Sequence, residues 1–96
     1  MSILVLLDLE AQPENVEKVK ERLEVILVDT RAFEGCEDVI VHQDQDDPRH
    51  FVLEERWVDR EKSDAYSAWR AGRFELDGLR PLMARAVKTH YNALDI

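Results

Sequence analysis

The sequence predicts an α+β fold with the element order β-α-β-β-α-β, and three features predict it. A short aliphatic run opens the chain, and a long stripe of apolar residues at spacings of three and four follows it. Two β-rich runs then flank a polar turn of aspartates and a proline.

Residues 3–9 (ILVLLDL) are aliphatic, too few for a typical helix and followed by Pro13, which makes them a strand. Its continuous apolar character implies cover on both faces. Pro13 suits the first turn of a helix, and Glu14 and Glu17 put negative charge near the positive end of its dipole. Val16, Val19, Leu23, Ile26, Thr30 and Phe33 then form a stripe that Leu27 broadens, so a helix of about five turns reaches Ala32. Gly35 is its stop signal.

Residues 38–43 and 50–58 read as strands of an antiparallel hairpin around the turn DQDDPR. Asp59 is placed to cap a second helix, which carries Ala65, Tyr66, Ala68 and Trp69 and ends at Gly72. In residues 74–83, Gly78 and Pro81 permit only short helical turns. Residues 86–94 alternate as a last strand, with Lys88, His90 and Asn92 on one side and Val87, Thr89 and Tyr91 on the other. This order gives a ferredoxin-like subunit, a four-stranded antiparallel sheet with both helices on one face. A homodimer packing sheet to sheet is the economical cover for the other face, and would close an α/β barrel.

A chain of 96 residues makes one domain, 1–96, near the small end of what buries its own core. With 13 basic and 21 acidic side chains the net charge is −8, and no basic face is visible, which argues against nucleic acid as a partner. No apolar run approaches the ~20 residues that span a bilayer, so no membrane role is expected. The N-terminal run lacks the basic flank of a signal peptide, and Cys36 is the one cysteine, so the cytoplasm is the expected location.

Three short motifs bear a likeness. Phe33-Glu34-Gly35-Cys36 stands close to an "EPGC" turn, Asp46-Asp47-Pro48 lies in the hairpin, and Phe51, Glu55 and Trp57 fit an "F-x-x-x-E-x-W" strand. On these the chain resembles the antibiotic biosynthesis monooxygenase-like domains of the dimeric α/β barrel superfamily. The resemblance implies a monooxygenase that uses neither metal nor flavin, so no cofactor, and that acts on a quinol or polycyclic phenol. The protein's part would be a dry aromatic pocket and a proton acceptor. Members of the family often carry a histidine nine residues beyond the strand tryptophan, where this chain has Tyr66, and another at the helix end, where it reads Ala71-Gly72-Arg73-Phe74.

The residues that would line such a pocket are Trp57, Tyr66, Trp69 and Phe74, since aromatic side chains dominate pockets as well as cores. The catalytic groups are left unknown, with Tyr66 and His90 as candidates. Tyr66 offers a hydroxyl to a phenolic oxygen, and His90 is a proton acceptor if its side of the last strand faces the helices. Arg73 and Arg85 read as surface residues that could hold an anion. Cys36 lacks a basic neighbour and reads as a structural thiol. With residue 43 paired to residue 50, His42 and His50 point to opposite faces, so no metal is expected there. The turn DQDD lacks the glycine and distal glutamate of a calcium loop.

Two functions stay open at this point. One is a cofactor-independent monooxygenase with an aromatic small-molecule substrate, and the other is a non-catalytic dimeric module that binds a small molecule or acts by association. A haem-degrading relative on the same barrel would need an axial histidine, which only His90 or His42 could supply.

Overall fold

The computed structural model describes residues 2–73 and 78–96. Strand β1 (Ile3–Ala11) leads through a 3₁₀ turn (Pro13–Asn15) into helix α1 (Val16–Ala32), followed by β2 (Cys36–Gln43), β3 (His50–Trp57) and α2 (Arg60–Ala71). A second 3₁₀ turn (Arg80–Leu82) then opens β4 (Met83–Asn92). The strands form one antiparallel sheet in the order β2-β3-β1-β4, the ferredoxin-like arrangement that the element order predicts. Phe74 lies outside the described residues.

Side-chain alternation decides which residues meet the helices. Val5, Leu9 and Ala11 of β1 are buried, as are Phe51, Leu53, Glu55 and Trp57 of β3, and all of them face α1 and α2. From α1 the predicted stripe arrives: Val19, Leu23, Ile26, Leu27 and Thr30 are its buried residues. Helix α2 buries only Ser63 and Tyr66, so it lies on the sheet through a narrow contact. Asp59 caps it as predicted, its carboxylate accepting the Lys62 backbone N–H at 2.9 Å.

In β4, His90, Lys88 and Ala86 lie opposite Val5, Leu7 and Leu9. Its polar side therefore turns under the helices, and Val87, Thr89 and Tyr91 join Leu4, Leu6, Val52 and Ile40 on the sheet's open face.

The hairpin register differs from expectation by one residue. Gln43 pairs with Phe51 and His42 with Val52, so His42 and His50 share the open face. The reason is the turn itself, where the Asp44 carboxylate accepts the backbone N–H groups of Asp46 and Asp47 and the Asp44 N–H reaches the His50 carbonyl. A shared metal still does not follow. His50 bonds Asp44 with Nδ1 at 3.0 Å and Asp8 with Nε2 at 3.1 Å, while His42 pairs with Glu54. Among the described residues no group of three histidine, cysteine, aspartate or glutamate side chains is arranged to hold a metal.

Gly35 joins α1 to β2 with φ +92°, and its carbonyl accepts the Val58 N–H at 2.8 Å. A Cβ there would stand 2.4 Å from Lys62 Cβ, whereas one at Gly72 would meet nothing nearer than 3.5 Å. Gly35→Ala should therefore cost about 1–3 kcal/mol in urea unfolding. Gly72→Ala should be neutral or gain up to about 1 kcal/mol.

Candidate functional site

The inner face of the sheet carries two kinds of side chain on one period of alternation. On β3, Phe51, Leu53 and Trp57 are apolar and Glu55, between them, is an acid only 2% exposed. Its Oε1 accepts the Trp57 indole N–H at 2.9 Å, which satisfies the indole inside the core. Burial outweighs that hydrogen bond and the positive charges of Lys88 and Arg70, and pushes the Glu55 carboxyl above its usual range.

Between α1, α2 and the sheet lies an open cleft of about 610 Å³. One wall is aliphatic, with Leu23, Ile26 and Leu27 of α1 facing Leu7, Leu9 and Leu53 of the sheet. Its polar lining residues are Glu55, Tyr66, Ser67, Arg70, Arg80, Arg85 and Lys88. This is the usual makeup of a small-molecule site, a mostly apolar cavity with few, grouped polar atoms.

Tyr66 is held from behind. Its hydroxyl is 2.7 Å from Thr30 Oγ1, and Arg70 donates from Nε to the Tyr66 oxygen at 3.0 Å and from Nη2 to Thr30 Oγ1 at 2.8 Å. Arg70 also donates to the Ile26 carbonyl at 3.0 Å, so one side chain of α2 grips the last turns of α1. Burial raises the Tyr66 pKa, and at neutral pH the phenol keeps its proton.

The predicted aromatics do converge. The Trp57 and Tyr66 ring centroids are 5.0 Å apart and those of Tyr66 and Trp69 6.2 Å apart, with Phe33 packed against all three. Of this group Tyr66 borders the cleft, while Trp57 and Trp69 back it. His90 is under the start of α2, its Nε2 3.4 Å from Ser63 Oγ, away from the cleft walls. Burial, with Arg60 and Lys88 adding to it, lowers its pKa. Arg85 bonds Asp8 on the open face, and Cys36 is half-buried with its thiol pKa raised by burial and by Glu55.

Sequence reasoning missed Glu55, Thr30, Arg70 and Lys88 as a group. The readable signal for Glu55 is an acid in phase with Phe51, Leu53 and Trp57. For Arg70 it is the four-residue step from Tyr66.

A family model described as antibiotic biosynthesis monooxygenase matches residues 2–73. The chain belongs to this family. Its match covers the inner strands, both helices, Glu55, Tyr66 and Arg70, and stops before β4. No curated protein matches the chain. Among solved structures, a conserved protein of Methanosarcina mazei is 22% identical with a TM-score of 0.85, covering 98% of this chain and 94% of its own. A candidate antibiotic biosynthesis monooxygenase of Deinococcus radiodurans is 24% identical with a TM-score of 0.84 over the same shares, 98% and 94%. One from Nitrosomonas europaea is 20% identical with a TM-score of 0.83, covering 98% and 91%. At these identities the likeness speaks for the fold alone. No helix among the described residues is long and apolar enough to cross a membrane.

The raised Glu55 pKa links stability to pH. A carboxyl favoured in its protonated form by the fold contributes fully below its unfolded value, and that contribution is lost as pH rises through the folded value. His50, whose pKa is raised chiefly by Asp44, acts with the same sign, so the test is a difference between two proteins. Glu55→Gln keeps an acceptor for Trp57 and removes the charge. In urea titrations from about pH 4 to about pH 8, its stability relative to the parent should rise with pH.

Proposed function

We propose that the protein is a monooxygenase that oxidises a quinol or polycyclic phenol in the cleft between α1, α2 and the sheet, with no metal or flavin. The observation that carries this reading is a buried carboxyl, Glu55, bordering an apolar cleft of about 610 Å³ beside Tyr66. A carboxyl with a raised pKa is better matched to taking a phenolic proton at neutral pH than an ordinary one. The aliphatic wall holds the ring system and the Tyr66 ring packs against it. Trp57, Trp69 and Phe33 keep Tyr66 in place.

Dioxygen is the second substrate. Glu55 takes the phenolic proton, and the electron-rich phenolate gives up electrons to dioxygen so that a ring carbon gains a C–O bond. The O–O bond then breaks, the same ring carbon loses its hydrogen as a proton, and water leaves. An aryl C–H has become C=O, and phenol plus dioxygen has become quinone plus water, with the substrate supplying all the electrons. Water exclusion by the leucine-rich wall preserves the anion and strengthens each polar contact to it.

This proton acceptor differs from both candidates that the sequence suggests. The Tyr66 hydroxyl is engaged with Thr30 and Arg70, and His90 is away from the cleft. Glu55 is the acid in position. Glu55→Gln should lower kcat by about 100-fold or more with KM little changed, as removal of a general base does. Oxygen uptake and quinone absorbance over a panel of dihydroxynaphthalenes and anthracenols measure it. Full turnover by Glu55→Gln, or no turnover by the parent on any member, would overturn the assignment.

The assembly belongs to the same proposal: a homodimer, sheet face to sheet face. What supports it is the outward placement of Ile40, Val87 and Tyr91, which are 43%, 46% and 45% exposed in the single chain. Strand β4, which turns Lys88 and His90 inward and Val87 and Tyr91 outward, is patterned for cover on its outer side. Light scattering should give twice the 11.2 kDa of one chain, and Leu6→Lys with Val87→Lys should return it to one.

A further inference from the structure

Lys88 is the feature of the cleft that neither the family match nor the proton acceptor uses. It lies on β4 opposite Leu7, which lies opposite Leu53 of β3, so its stem crosses the sheet's inner face toward α2. There its ammonium donates to Ser67 Oγ and stands 5.9 Å from the Tyr66 ring centroid, at the border of the cleft. The side chain forms no ion pair among the described residues, and the hydroxyl of Ser67 carries no charge.

The charges around it are Glu55 from β3 and Asp64 and Arg60 from α2, with Arg70, Arg80 and Arg85 also bordering the cleft and His90 two residues on in β4. Lys88 is exposed in the single chain, and the desolvation that its amine meets beside α2 lowers its pKa, against the pull of Glu55 and Asp64. Glu55 is displaced in the opposite sense. Glu55, buried, is costly to keep negative, and the exposed Lys88 ammonium is less costly to keep positive, and they border the same space. A negative ligand oxygen beside Lys88 relieves the cost on both, because the ligand's proton neutralises Glu55 and its charge pairs with the ammonium.

We propose that Lys88 is the residue that holds the ligand's oxygen as an anion, so that the cleft selects acidic phenols and enols over neutral aromatics of the same shape. The inference rests on the reading of the cleft as a phenol site, but not on turnover. The ligand O–H bond breaks, an O–H bond forms at Glu55, and the charge moves from the carboxylate to the ligand oxygen while Lys88 faces both. An ammonium has three N–H groups, and Ser67 accepts one of them, which leaves donors for the ligand.

The probe is 4-nitrophenol, whose phenolate absorbs apart from its phenol, titrated with pH on the parent protein under anaerobic conditions. 4-Nitroanisole, which cannot ionise, is the neutral control of similar shape. The bound probe should titrate about 1–3 pH units below the free probe, as expected for an opposite charge at close range. The anisole should bind about 10-fold or more weakly. Lys88→Met should abolish the shift, and Lys88→Arg, which keeps a cation, should retain most of it. Glu55→Gln should bind the phenolate at least as tightly as the parent, because the competing negative charge is gone. A bound probe that titrates as it does in water, a shift of equal size in Lys88→Met, or no binding at millimolar probe would each overturn the proposal. A shift without any oxygen uptake would leave Lys88 in this role and remove the monooxygenase reading.

Discussion

The grip of Arg70 on α1 is the constraint on which the site depends. Helix α2 brings only Ser63 and Tyr66 into the interior, too little apolar surface to bind it along its length. Its position is fixed by the Tyr66 ring, packed among Phe33, Trp57 and Trp69, and by Arg70, which donates to Tyr66 Oη, Thr30 Oγ1 and the Ile26 carbonyl. Arg70 also lies over the rings of Tyr66 and Trp69, with its Cζ 5.2 Å and 4.8 Å from their centroids. A helix bound by a continuous apolar face would fill the space above β1 and β3. One bound by a few directional polar contacts at its end leaves that space open, and the cleft is what it leaves.

The same economy explains why the floor can carry charge. Glu55 is the one acid on the inner face of β3, and its hydrogen bond from Trp57 ties it to the most deeply buried aromatic. An ionised carboxylate in that place costs stability, and the exposed Lys88 ammonium across β1 carries a smaller cost. Neither is relieved by a contact ion pair with the other. Such stored cost is typical of sites where a ligand completes the electrostatics, and it sets Glu55 and Lys88 apart from the surface pairs Lys62–Glu34 and Arg60–Asp64, which are already satisfied.

Most of the fold was legible because it rests on periodicity. The α1 stripe, the Asp59 cap, the Gly35 stop and the alternation of β4 are local patterns, and each stands where the sequence puts it. The hairpin register was not, because the Asp44 side chain organises the turn and shifts the pairing by one residue, which moved His42 to the face of His50. Of the site, the convergence of Trp57, Tyr66 and Trp69 could be read from a strand end and a helix face. The working polar groups could not. Glu55 and Thr30 are enclosed and Lys88 is exposed, and what brings the three to one cleft is how α2 is tilted and tied, which local spacing does not encode.

The family resemblance leads one to expect histidine at the position of Tyr66, and the surroundings of Tyr66 show what tyrosine does there. A histidine there would present a titratable nitrogen to the cleft near neutral pH. Tyrosine instead reaches past the cleft to Thr30 and Arg70, and its hydroxyl becomes part of the bond between the helices. In this chain the position is an anchor that also supplies a ring. On the proposed reading, a phenol oxidation in this cleft draws its base from the sheet rather than from α2. In that reading Glu55 serves from β3 and Lys88 supports it from β4, the two strands that flank β1.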